Sequence, residues 1–258
     1  MRSKFGIFCI SLLCFIIASF NFLSIQSNEH EPGIKILTAE EIQEVITNDA
    51  DHYYEKFHKM DFVVRNVKNK TKYLDKISQS GCTAEDRSIG KVRSCIKIIN
   101  KLLFEKKNET ILGINLEKLL KIPWKIGFTC DRKYENGLPH TRGDVIILNN
   151  KDIGTRTIPE VCKLLIHEKC HVYQKKEDMS AYLKENYTEV KRTDETSPAN
   201  PDTDDYIYRC NKTNIVLEGR YTENPKHFRD VHFTQNDHSL EHPFENIAYE
   251  MENLFDGG

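Results

Sequence analysis

The sequence predicts an α+β fold, and three observations carry that expectation. From about 39 to 106 the apolar residues recur mainly at helical spacing. Residues 144–148, Asp-Val-Ile-Ile-Leu, are the strongest strand signal in the chain, rich in β-branched side chains. A helix over about 158–176 follows closely, with Thr157 as its cap and Pro159 in its first turn.

The chain begins with Arg2 and Lys4 ahead of an uncharged apolar run over residues 5–25. Positive charge before such a run is an export signal, and the run approaches the roughly 20 residues that span a bilayer. A cleaved signal peptide and an uncleaved type II membrane anchor both fit. Ala18-Ser19-Phe20 lies inside the run and makes a poor cleavage site, which favours the anchor. Sequons at Asn69, Asn108, Asn186 and Asn211 agree with entry into the secretory pathway, for a membrane-anchored or a secreted protein. So do six cysteines beyond the run, at 82, 95, 130, 162, 170 and 210. Cys82 and Cys95 flank a short polar loop and are the expected disulfide pair. Cys162 and Cys170 share a helix, about 12 Å apart along its axis, and cannot bond to each other.

Residues 27–37 read as a stalk, with Pro32-Gly33 as a breaker. Thr38-Ala-Glu-Glu41 reads as a capping box that opens a helix over about 39–60, striped by Ile42, Val45, Ile46, Tyr53 and Phe57. A second helix is expected over about 87–106, carrying Val92, Ile96, Ile99 and Leu103. The character changes at Pro123-Trp124. A strand over 125–130, a turn at Asn136-Gly137, the 144–148 strand and the 158–176 helix follow in order. Residues 191–205 read as a solvated polar loop, with short strands near 206–208 and 215–217. A last helix starts at Pro243 and runs to about 254. Three segments result: 1–26, signal anchor or signal peptide; 27–122, a mainly helical support or cover; and 123–258, the region that carries the chemistry. With 37 basic against 39 acidic residues and no basic stripe, a nucleic-acid partner is not expected.

The chemistry lies in His167-Glu168-Lys169-Cys170-His171, an H-E-x-x-H pattern. Residues four apart share a helix face, about 6 Å apart along the axis, so both imidazoles can reach one zinc ion. Glu168 follows the first of them, where its carboxylate can take a proton from a zinc-activated water and later deliver it to a leaving amine. A catalytic zinc needs three protein ligands and one open position. No further histidine follows at the metzincin spacing. A glutamate from the last helix is the other common solution, and Glu245 in Glu241-His-Pro-Phe-Glu245-Asn-Ile-Ala-Tyr249 is the candidate, with Glu250, His242 and His238 as rivals. Cys170 can compete for metal as a thiolate, but a buried or disulfide-bonded role is the better reading. His140, Arg142, Tyr221, His242 and Tyr249 are candidates to donate to an oxyanion, or to touch substrate.

The H-E-x-x-H helix with a downstream glutamate resembles the gluzincin-type zinc metallopeptidases. More narrowly, Gly137-Leu-Pro-His140-Thr-Arg142-Gly-Asp144-Val-Ile-Ile-Leu148, Asn200-Pro-Asp202 and His242-Pro-Phe-Glu245-Asn-Ile-Ala-Tyr249 resemble zinc-peptidase-like proteins of giant viruses and protists. The resemblance covers about residues 124–256, with gaps. It implies a zincin-like α+β catalytic domain and a peptide or protein substrate. It also implies an edge strand ahead of the active-site helix that binds substrate as an extra strand, and it maps that strand to residues 144–148. The alternative is a catalytically silent, zinc-bound structural or interaction protein of a membrane or virion. Glu168 favours the enzyme, because a structural site has no need of that carboxylate.

Overall fold

The computed structural model describes residues 32–191, 198–204 and 206–255. The apolar run of 1–26 and part of the 191–205 loop lie outside the described residues. Among those described, no helix is long and apolar enough to cross a membrane. Residues 34–258 fall in one compact unit.

A four-stranded sheet organises the chain, in the order β1 (Ile34–Ile36), β4 (Trp124–Thr129), β6 (Val145–Asn149), β5 (His140–Arg142). The first three strands run parallel, and β5 returns antiparallel along the outer edge of β6. All five residues of β6 are buried, because both faces of the sheet are covered. Strand alternation sends Ile146 and Leu148 into one core and Val145 and Ile147 into another. The first core lies under α4 (Asp86–Glu105) and α7 (Ile158–Lys176); the second lies under α1 (Ala39–Thr47), α3 (Lys70–Ile77) and a cluster of tyrosines. Helix α1 sits so close to the sheet that a Cβ on Gly127 would stand 2.2 Å from the Ile42 side chain.

The Thr38–Glu41 capping box is present, but the helix it opens ends at Thr47 rather than near 60. Asp49 accepts from the Tyr54 N–H and His52 takes a positive φ of 56°, so the chain turns. A short helix α2 (Lys59–Val64) follows that break. The boundary expected at 122–123 runs through shared structure. β1 pairs with β4 across it, and α4 packs on α7 in one core. Short elements complete this half: β2 (Thr110–Ile111), β3 (Ile114–Asn115) and α5 (Leu116–Lys121). Beyond β6 come α6 (Asn150–Thr155), α8 (Ser180–Asn186), β7 (Tyr187–Val190), β8 (Ile207–Cys210), β9 (Val216–Leu217), β10 (Gly219–Tyr221), β11 (Val231–Phe233) and α9 (Pro243–Glu252).

Two expectations are corrected. The disulfide joins Cys82 to Cys130, not to Cys95. Residues 80–82 run beside the end of β4, where the Cys82 N–H donates to Phe128 and the Cys130 N–H to Ser80, and this brings the two thiols together. Cys95 faces inward from α4, its Sγ 3.2 Å from the Ile158 carbonyl oxygen. The strand expected to bind substrate, 144–148, is interior; the edge is β5.

Candidate functional site

Helix α7 is held at its start by a second capping box, with the Thr157 N–H 2.7 Å from the Glu160 carboxylate. One face is buried through Val161, Leu165, Ile166, Cys170 and Val172. His167, Glu168 and His171 are left on the side that opens into a cleft of about 930 Å³. Helix α9 crosses α7. Its N-terminus is capped by His242, whose Nδ1 accepts from the Phe244 N–H at 3.1 Å. Pro243 follows, and Glu245 falls in the first turn, where the helix dipole favours an anion.

There the three expected ligands converge. The Glu245 carboxylate lies 3.3 Å from His167 Nε2 and 3.5 Å from His171 Nε2, and the three ligand atoms lie within 4.8 Å of one another. The far nitrogen of each ring is already engaged. His167 Nδ1 is 2.9 Å from Glu252, and His171 Nδ1 is 2.8 Å from the Gln174 side-chain oxygen. Those partners accept from Nδ1–H and so turn each Nε2 lone pair to the shared point, as a metal site requires. Asn200 donates at 3.0 Å to Glu245 Oε1, the oxygen that faces His171. Charge tells the same story. Burial pulls the His167 pKa down, but Glu245 and Glu252 outweigh it and lift it to about 10; burial also opposes the charge on His171, and Glu245 raises its pKa. Burial likewise opposes the Glu245 charge, yet the two rings hold its pKa well below the usual range. Carboxylates gathered round two imidazoles are what a dication neutralises. Two imidazoles and one carboxylate facing an open cleft fit a metal with a free coordination position.

The rivals are spent elsewhere. Glu250 accepts from Asn253 on the surface, His242 is the cap, and His238 stacks on Phe233 with ring centroids 4.1 Å apart. Cys170 is buried, is not disulfide-bonded, and has its thiol pKa raised by that burial; it is not one of the converging ligands.

Glu168 is buried except for its face on the cleft, at 6% exposure. The Thr141 hydroxyl on β5 donates to its Oε2 at 2.7 Å. Since Thr141 points at α7, strand alternation sends His140 and Arg142 to the opposite face, and Arg142, buried and away from the cleft lining, is corrected as a substrate candidate. Arg142 is buried on the rings of Tyr53 and Tyr54 and grips Asp51 with Nε at 2.8 Å and Nη2 at 2.5 Å. His140 borders the cleft, but its Nδ1 holds Asp202 at 3.2 Å and its Nε2 is sealed from solvent, with burial lowering its pKa. Tyr221 is also buried, bonded to Asp61. Tyr249 remains: one turn after Glu245, 37% exposed and lining the cleft, it packs its ring on His167 at 4.7 Å.

Sequence reasoning missed five site residues. Glu252 follows Glu245 by seven residues and Gln174 follows His171 by three, so helical spacing held a signal for both. Asn200 and Asp202 belong to the segment read as a solvated loop. Its described part lies in the cleft wall, and Asp202 bonds Lys175 as well as His140. Thr141 stood inside the 137–148 stretch of the resemblance, but nothing there pointed to its contact with Glu168. Its outward carbonyl, on the open edge of β5, accepts from Lys175 Nζ at 2.5 Å. No family model, curated protein or solved structure matches the chain.

Proposed function

We propose that this protein is a zinc-dependent peptidase that hydrolyses peptide bonds in peptide or protein substrates. One observation carries the reading: the Nε2 atoms of His167 and His171 and the Glu245 carboxylate converge within 4.8 Å at the floor of an open cleft, with Glu168 adjoining. When bound there, zinc supplies a Lewis acid and acidifies a water towards neutrality. Glu168 takes the proton of the attacking water and returns it to the leaving amine. Thr141 fixes one oxygen of that carboxylate and leaves the other to the reaction. The Tyr249 ring packs on His167 and lines the cleft, which supports its hydroxyl as the donor to the developing oxyanion. The disulfide supports an oxidising compartment, and so a secreted or membrane-anchored protein.

The test is metal content and turnover on the same samples. Wild type is expected to hold one zinc per chain and to cleave a quenched-fluorescent peptide library. Glu245→Ala should lose most of the metal. Glu168→Gln should keep the metal and lose turnover by about 10²-fold or more. Zinc retained in every variant with no cleavage in wild type would favour the silent structural alternative; folded protein that takes up no zinc would end both readings.

A further inference from the structure

The wall of the cleft beside Glu245 holds a carboxylate with nothing to neutralise it. Glu241 lines the cleft four residues before Glu245, in the turn that leads into α9. Its backbone is pinned: its N–H donates to the His238 carbonyl, and the neighbouring Leu240 carbonyl accepts from the Glu218 N–H at 2.7 Å. Its side chain lies flat on β10. A Cβ on Gly219 would stand 2.6 Å from the Glu241 Cγ and 3.0 Å from Oε1, so the absence of a side chain there is what admits this rotamer. Among the described residues no donor and no cation meets the carboxylate. Arg220, next to Gly219, is engaged by Glu218, with Nε at 2.6 Å and Nη2 at 2.7 Å. Glu241 is partly buried, and burial together with the Glu245 charge pushes its pKa well up, so its ionised form lacks the counter-charge that a bound cation would supply. Glu241 lines the cleft, where a substrate would lie, and also a small pocket over β10.

We propose that Glu241 is a specificity residue that receives a positive charge of the substrate, either a free α-amino group or a lysine or arginine side chain next to the cleaved bond. The assignment rests on the peptidase reading of the same cleft. It explains why a second glutamate stands beside a metal-binding glutamate with no cation of its own.

Binding tests it without relying on turnover. Three hydroxamates that ligate zinc are titrated calorimetrically into the zinc-loaded full chain. N-acetyl-lysine hydroxamate carries only a side-chain cation, norleucine hydroxamate only an α-amine, and N-acetyl-norleucine hydroxamate neither. One cationic probe should bind at least tenfold tighter than the neutral one, and which probe it is identifies the source of the charge. The advantage should vanish in Glu241→Gln and shrink in Gly219→Ala, which pushes the side chain off β10; zinc content and circular dichroism are measured on each. Equal affinities for all three probes, or a preference that survives Glu241→Gln, would overturn the role of Glu241 and leave the peptidase reading standing. Folded chain without zinc would overturn both.

Discussion

Replacing Glu252 by alanine separates the metal site from its support. Glu252 touches no metal position; it holds His167 Nδ1 at 2.9 Å. Its loss frees the ring to rotate, removes a charge that makes Nε2 a better donor, and leaves a largely buried N–H without an acceptor. Losing such an orienting partner costs about 10–100-fold in metal affinity, or about 1.4–2.7 kcal/mol. Gln174 does the same for His171 at 2.8 Å, but through a neutral amide. Hydrogen bonds to ionised groups are roughly twice as strong as neutral ones, so Gln174→Ala should cost less, within about tenfold. Glu245→Ala, which removes a ligand, should cost more than either. The assay is competition for zinc against a chromophoric chelator at fixed pH, with thermal melts to show that each variant is folded. Wild-type affinity in Glu252→Ala, or a larger loss in Gln174→Ala, would refute the assignment of these carboxyl and amide groups to the histidines.

Three further outcomes are expected. The metal-free site keeps His167 protonated to about pH 10. Zinc binding at pH 7.5 should therefore release at least one proton, and affinity should weaken about tenfold per pH unit per proton as pH falls; calorimetry in buffers of different ionisation heat checks this. Arg142→Met should destabilise the fold by about 1–3 kcal/mol, because it strands the half-buried Asp51 carboxylate, while zinc affinity stays unchanged; urea melts and chelator competition report the two effects. Exchange of Cys82 and Cys130 for serine opens a loop with a sequence separation of 48, worth about 4 kcal/mol in loop entropy; denaturant titration with and without reductant measures it.

The candidate ligands were legible in two steps, since helix geometry relates the two histidines and the downstream-glutamate pattern supplied Glu245. His167 and His171 sit one turn apart on a helix whose cap and proline mark its start, and Glu245 sits just inside another start marked by Pro243. What stayed hidden depends on separate parts of the chain meeting. Cys130 finds Cys82 only because residues 80–82 run alongside β4. Thr141 meets Glu168 only because β5, and not β6, takes the edge. Asn200 and Asp202 looked solvated because a polar loop reads the same whether it faces water or a row of charged side chains. The early end of α1 had a visible cause in Asn48 and Asp49, but the apolar stripe running on through Tyr53 and Phe57 outweighed it. Those two rings instead join the tyrosine cluster against the second core.

The same edge strand bears on the solution behaviour of the protein. An open sheet edge is a template on which any other extended chain can pair, and unprotected edges are where folded proteins begin to aggregate. Here the edge is only three residues long. Thr141, its central residue, has its outward carbonyl already occupied by a lysine ammonium that is itself tied to Asp202. A short edge guarded by a fixed positive charge is a poor seed for strand-to-strand association. A lysine ammonium set on a short edge is among the devices by which folded proteins discourage such pairing.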